Sequence, residues 1–317
     1  MRFRKHKSSK FRFYLNGIMN KFLPDFIFKI IYKRLFIRFE DEKEYIEGRV
    51  DYYFRVKTSF SLSSEVASIK DINPREYPSA YYFDMLQFCR FFPNARFDYL
   101  FGDITHVPDT PSFLKSRPIS EDNQNSVLLK LNKVRHFNFI NDSLDYEDKK
   151  DMIVWRGKSF VTHHRFEVCG KYFDSPQCNI GLSNPAKKTY EKHLTRGRLT
   201  IDEQLKYKFI LSMEGNDVAT NLKWIMSSNS LCFMRKPRFE TWFMEGRLIP
   251  DVHYVELKDD FSDLLEKVDF YIENPNLAKN IINNAHDYVE QFFDEDRELL
   301  ISLLVMKKYL ELSGQVD

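Results

Sequence analysis

The sequence predicts an α/β protein built on parallel sheets, on three observations. First, short apolar runs of strand length at 152–155, 207–213, 231–234 and 252–257 alternate with helix-spaced stretches at 183–206, 219–227 and 262–272. Strands that alternate with helices pack as parallel sheets joined by crossover helices. Second, Tyr207–Met213 carries five aromatic or apolar residues in seven, and Gly215-Asn216-Asp217 breaks it before Leu222, Ile225 and Met226 recur on one helical face. Third, 317 residues suffice for two such units.

Residues 1–40 read as a basic amphipathic arm, with eleven Lys or Arg against Asp25 and Glu40 and with Phe3, Phe11, Phe13, Leu15, Ile18, Phe22, Phe26 and Ile30 interleaved. Such a stretch suits an anionic bilayer surface, where each cation contributes about 1 kcal/mol; the plainer reading is a solvated tail followed by a docked helix. Within a first unit, 41–150, Phe54–Ser61 alternates like a strand and Tyr81–Phe92 has helical spacing. Phe97–Phe101 reads as a strand ending at Gly102-Asp103, and Pro108, Pro111 and Pro118 mark a non-helical loop beyond it. Ser126–Leu131 is another short apolar run, and the acidic stretch 142–151 is the linker candidate. The second unit, 151–295, opens with Met152-Ile153-Val154-Trp155, and a long helical pattern covers 275–313.

Composition narrows the function classes. Formal net charge is +2, which argues against a nucleic-acid-binding polycation. Cys89, Cys169, Cys178 and Cys232 are scattered without C-x-x-C spacing, so neither a zinc site nor a disulfide framework is expected, and a reducing, cytoplasmic setting suits them. No apolar run has the length of a membrane span, and no secretory leader is expected, because Lys21, Asp25 and Lys29 interrupt the apolar part of the arm.

The 214–230 segment is the first candidate site. A strand feeding a polar turn that opens a helix presents outward N–H groups to an anion. Gly215, Asn216, Asp217, Thr220, Asn221 and Lys223 cluster there. The same residues also cap helices without any ligand. Neither a dinucleotide-binding nor a P-loop glycine pattern is present.

Several blocks in order resemble glycosyltransferase family 90, which includes Rumi-like protein O-glucosyltransferases, fungal capsule xylosyltransferases and bacterial lipopolysaccharide glycosyltransferases. They are Gly102-Asp103-Ile104-Thr105-His106-Val107-Pro108, Trp155-Arg156-Gly157-Lys158, the 207–234 segment, Ile249–Val255 and Asp260–Leu264, and the resemblance spans 80–310. It is nearest the short bacterial branch. It implies a GT-B-like architecture of two Rossmann-like domains with an inter-domain cleft, the C-terminal helix 296–317 packing back on the first. It also implies an inverting, metal-independent transfer from a UDP-linked sugar, with no further cofactor.

Residue by residue, the resemblance makes Asp103 the general base; His106 is the rival, since histidine is a side chain suited to proton transfer. Gly102 replaces the Arg that often precedes that Asp. Arg156, Gly157 and Lys158 match the nucleotide-contacting Arg-Gly-Ser segment, and Arg165 is the nearest match to a second Arg. Asn221 stands where Rumi-like enzymes carry an Arg, with Lys223 kept. Glu240 and Trp242 follow the 231–234 strand, where ribose or base would lie. No Asp-x-Asp pair is found in a metal-binding context, since Asp98 and Asp103 are five apart and Asp259-Asp260 adjacent.

The expected protein is a cytoplasmic glycosyltransferase at the inner face of the plasma membrane. Its expected partners are a nucleotide-sugar donor, a lipopolysaccharide or other lipid-linked acceptor, and an anionic membrane surface through residues 1–40. The alternative is a non-catalytic membrane-surface protein that binds glycans or nucleotides on the same fold; a nucleic-acid binder is disfavoured. Donor turnover separates the first two.

Overall fold

The structure, a computed structural model, describes residues 10–63, 66–76, 78–158, 163–184 and 189–316. The first nine residues of the arm, Phe3 among them, lie outside the described residues, as does 185–188 within the expected helix 183–206.

In chain order the elements are α1 (Lys10–Phe22), α2 (Asp25–Arg38), α3 (Lys43–Tyr53), β1 (Ala67–Ser68), α4 (Ser79–Cys89), β2 (Arg96–Leu100), β3 (Ser112–Leu114), β4 (Ser116–Pro118), β5 (Ser126–Leu128) and α5 (Lys133–His136). Then come β6 (Lys150–Gly157), α6 (His163–Tyr172), β7 (Cys178–Leu182), α7 (Ile201–Gln204), β8 (Tyr207–Leu211), α8 (Leu222–Met226) and β9 (Leu231–Arg235). The chain ends through β10 (Phe239–Thr241), β11 (Val255–Leu257), α9 (Leu264–Glu273), α10 (Pro275–Glu290) and α11 (Glu295–Leu312). It divides into two compact units. The N-terminal unit takes residues 10–136, 238–246 and 292–316; the central unit takes 137–237 and 247–291. Residues 238–246, expected in the second unit, therefore belong to the first.

In the N-terminal unit, β2, β3 and β5 run parallel, with β1 antiparallel on the edge of β2. A separate ribbon pairs β10 with β4, Glu240 opposite Arg117. Pro24 separates α1 from α2, since its ring cannot continue the preceding turn. The strand expected at 54–61 is absent: the Phe60 N–H donates to the carbonyl of Leu312, the last residue of α11, rather than to a neighbouring strand. Tyr309 of α11 packs edge-on to Phe54 and Phe60 and tilted against Phe113, and its hydroxyl accepts from the Asp98 N–H at 3.0 Å.

The central unit holds a five-stranded, all-parallel sheet in the order β11-β9-β8-β6-β7. Renumbered from its own first strand this is 2-1-3-4-5, a doubly wound order whose direction of winding reverses between β6 and β8. Ile153, Ile180, Phe209, Leu231 and Val255, one from each strand, are all fully buried in one apolar core. The helix expected at 183–206 reduces to a short 3-10 turn at Thr189–Leu194 and to α7, because Gly197 lies at φ +77° between them. Thr200 and Glu203 close a reciprocal capping box on α7. The single helix expected over 275–313 is two, and Asp294 caps the second by accepting from the Asp296 and Arg297 N–H groups. Among the described residues no helix is long and apolar enough to cross a membrane.

Candidate active site

In an open doubly wound sheet, ligands bind outside the carboxyl ends of the strands where the winding reverses. Here that point lies beyond Gly157 of β6 and Leu211 of β8. Arg165, on α6, bridges the two strand ends. Its Nε and Nη2 donate to the carbonyls of Glu214 and Met213 at 2.9 and 2.7 Å, and Nη1 reaches the Lys158 carbonyl at 3.5 Å. The guanidinium also lies over the Trp155 ring, 5.6 Å from its centre. Beside it, Arg235 at the end of β9 pairs with the Glu214 carboxylate and donates to the Asp259 carbonyl at 3.1 Å. His164 stacks on Phe261 and brings Nε2 to 4.0 Å from Glu214. Two guanidiniums, an imidazole and one carboxylate thus gather at the switch point, a set suited to a polyanionic group.

The neighbouring expected residues behave differently. Arg156 turns toward β7, where its Nη1 and Nη2 donate to the backbone and side-chain oxygens of Asn179 at 2.6 and 2.7 Å. Burial, reinforced by Arg196 nearby, disfavours its charged form. Gly157 is demanded from within the protein: a Cβ there would collide with the Trp155 ring. Lys158 is exposed just past the strand. In the turn, Gly215 and Thr220 are half-buried and Asn216 is exposed, while Asp217 is buried and accepts from the Val218 N–H at 2.6 Å. Asn221 accepts from the Ser212 hydroxyl and donates to the Leu211 carbonyl at 3.1 Å, so it clamps the end of β8. The expected helix N-terminus is replaced by α8, five residues that are all buried. Lys223 is fully buried with its ammonium over the Phe137 ring, so its expected place on a diphosphate does not match its setting.

In the N-terminal unit, β2 ends at Leu100 and the chain turns through Gly102 at φ +127°. An Arg at 102 would be strained there, which accounts for the glycine. The Tyr81 hydroxyl donates to the Gly102 carbonyl at 3.2 Å, and the exposed Asp103, its side chain 30 % accessible, receives the ammonium of buried Lys115 at 2.6 Å. His106 lies exposed in the same loop.

With this geometry in hand, the comparisons with known proteins decide the family. The profile of glycosyl transferase family 90 matches residues 126–313. O-glucosyltransferase LpsA of Dichelobacter nodosus is 46 % identical over 270 residues, covering 84 % of this chain and 83 % of the relative.

The chain belongs to glycosyl transferase family 90.

It is a glycosyltransferase. Protein O-glucosyltransferase 3 of Homo sapiens shares 31 % identity over 123 residues, 38 % of this chain and 24 % of that protein. Uncharacterized protein 179R of Invertebrate iridescent virus 6 shares 30 % over 105 residues, 31 % of this chain and 9 % of that protein.

In this family member Glu240 and Trp242 do not line a nucleotide pocket of the central unit. They are buried in the N-terminal unit. Glu240 accepts from Arg117 Nε at 2.8 Å and from the Tyr52 hydroxyl. Trp242 stacks on Tyr53 with ring centres 3.8 Å apart and donates to Glu298. The physical reason is β10, which pairs with β4 and carries both residues into that unit. Sequence reasoning did not single out Glu214, Arg235, His164 and Lys115, which the structure brings to the two candidate positions. A signal for Arg235 was present, since a cation closing the run Leu231-Cys232-Phe233-Met234 marks the strand's polar end.

Proposed function

We propose that this glycosyltransferase moves a sugar from a UDP-linked donor to a lipopolysaccharide or other lipid-linked glycan, with inversion and without a metal. The observation that carries the reading is the match to O-glucosyltransferase LpsA along most of both chains; that name makes UDP-glucose the first donor to test. The central unit binds the diphosphate at its switch point, where Arg165 and Arg235 supply the positive field that a metal would otherwise provide. Asp103 is the general base. It takes the proton of the acceptor hydroxyl as that oxygen bonds to the anomeric carbon. The bond from that carbon to the diphosphate oxygen breaks on the opposite face, and UDP leaves with the electron pair. Acceptors of this kind place the enzyme on the inner face of the plasma membrane.

The test is transfer from radiolabelled UDP-glucose to deacylated lipopolysaccharide core, with and without EDTA, and NMR of the product's anomeric centre. Transfer with inversion that survives EDTA is expected. A retained configuration, or activity lost to EDTA and restored by manganese, overturns the mechanism; absence of transfer from every UDP-sugar overturns the donor.

A further inference from the structure

The arm is fixed to the N-terminal unit by one face, and its other face is apolar. On α1 the inner face holds Phe13, Tyr14 and Gly17. The first two meet the Phe83 ring edge-on, Tyr14 accepts from the Ser79 hydroxyl, and a Cβ on Gly17 would collide with Phe83. On α2 it holds Phe28 and Leu35, both buried, with Phe28 edge-on to Phe91. Residues 10–38 are therefore part of the fold and no detachable tail.

The outward faces invert the usual pattern. A helix on a globular body turns its apolar stripe inward and its polar face to solvent. On α1, Phe11, Leu15, Ile18 and Phe22 recur at i, i+4, i+7 and i+11, a single stripe roughly opposite Gly17, and its two end residues are 76 % and 81 % exposed. On α2, Phe26, Ile30 and Ile37 form a second exposed stripe, with exposed Lys29, Lys33 and Arg34 alongside. Residues 10–38 hold seven Lys or Arg and one acid, Asp25, which is paired with Arg90 at 2.8 Å.

We propose that these two outward stripes are the surface by which the protein lies on an anionic lipid bilayer, the aromatic side chains entering the headgroup–acyl boundary and the lysines meeting the lipid phosphates. This deepens the proposed function and rests on its lipid-linked acceptor. Charge selects the occupant: a second copy would bring two basic faces together, whereas an anionic bilayer complements both the cations and the apolar stripes.

The experiment is co-sedimentation of the full chain with vesicles of phosphatidylglycerol and phosphatidylethanolamine, against phosphatidylcholine alone, at low salt. Compared with the parent are Phe11→Ser with Phe22→Ser, and Lys29→Gln with Lys33→Gln. The parent should partition onto the anionic vesicles. Each phenylalanine removed should weaken this on the order of tenfold, and each lysine about fivefold. Melting temperature and UDP-glucose hydrolysis in the absence of lipid should not move, since these side chains are exposed and outside the proposed catalytic machinery. Equal binding by parent and variants, equal binding to neutral vesicles, or a dimer-to-monomer change in the variants as the only effect overturns the proposal. Vesicle binding by a protein that turns over no nucleotide sugar would refute the donor reading and leave this surface standing.

Discussion

The ammonium of Lys115 stands 2.6 Å from the Asp103 carboxylate while the lysine itself is almost wholly buried. A buried ammonium is costly unless an anion meets it, so this pair sets the position of Asp103 at the end of β2. The carboxylate is held by a residue twelve positions later in the chain, just past the carboxyl end of β3, which runs parallel to β2.

Replacing Asp103 with Asn keeps shape and removes the basic oxygen. Transfer should fall 10²–10⁴-fold, with the dissociation constant for UDP unchanged by calorimetry. His106→Gln should retain most activity. The reverse ranking of the two variants would make His106 the base.

Arg165→Lys keeps charge and loses the fork. A single ammonium cannot serve the Met213 and Glu214 carbonyls together as the guanidinium does. UDP binding should weaken by about tenfold or more while uridine binding changes less. Equal losses for both ligands would move the diphosphate away from the switch point.

Arg117 and Glu240 are a buried pair, and Arg117 also donates to the Tyr52 carbonyl at 2.7 Å. Arg117→Met should lower unfolding free energy by about 3–5 kcal/mol, because a buried carboxylate loses its nearest cation and keeps Arg55 at 3.8 Å. Urea titration measures it. UDP affinity of the folded variant should match the parent; a selective loss of UDP binding without loss of stability would return Glu240 to the nucleotide.

Burial pushes the Asp84 carboxyl up to about 6 from its ordinary 3.8, against the pull of Lys133, whose N–H donates to it at 3.0 Å. A folded-state value above the unfolded one means the folded protein binds this proton more tightly. The resulting stability is fully present below pH 3.8 and is lost as pH rises toward 6. The size is about 3 kcal/mol. The stability difference between parent and Asp84→Asn, from urea titrations between pH 3.5 and 7, should shift against the parent by about that amount. A pH-independent difference would refute it.

The parallel strands β6, β8 and β9 were legible because strands buried on both faces read as continuous apolar runs. β7 was not: Cys178-Asn179-Ile180-Gly181-Leu182 carries a polar residue and a glycine, and its Cys178, Ile180 and Leu182 are buried in the core that α6 joins through Val168, Cys169 and Tyr172. Phe54–Ser61 misled in the opposite sense, since alternation reports which side chains are buried and not whether the backbone finds a partner strand. Of the site, the Asp103 loop was visible through its glycine and prolines. Lys223 was not placed, because spacing alone cannot tell which side of a one-turn helix meets solvent. Glu240 and Trp242 follow β9 in sequence, and only the pairing of β10 with β4 reveals where they go.

Tyr309 packs against Phe54, Phe60 and Phe113, and it is made long after all three. As the chain leaves the ribosome, the sheet of β1, β2, β3 and β5 is complete in sequence long before α11 exists. At about 5–20 residues per second, its apolar rings wait roughly ten seconds or more for the helix that covers them. Folding of this unit cannot proceed vectorially with synthesis. A nascent chain ending before residue 292 holds that sheet without the helix that covers it.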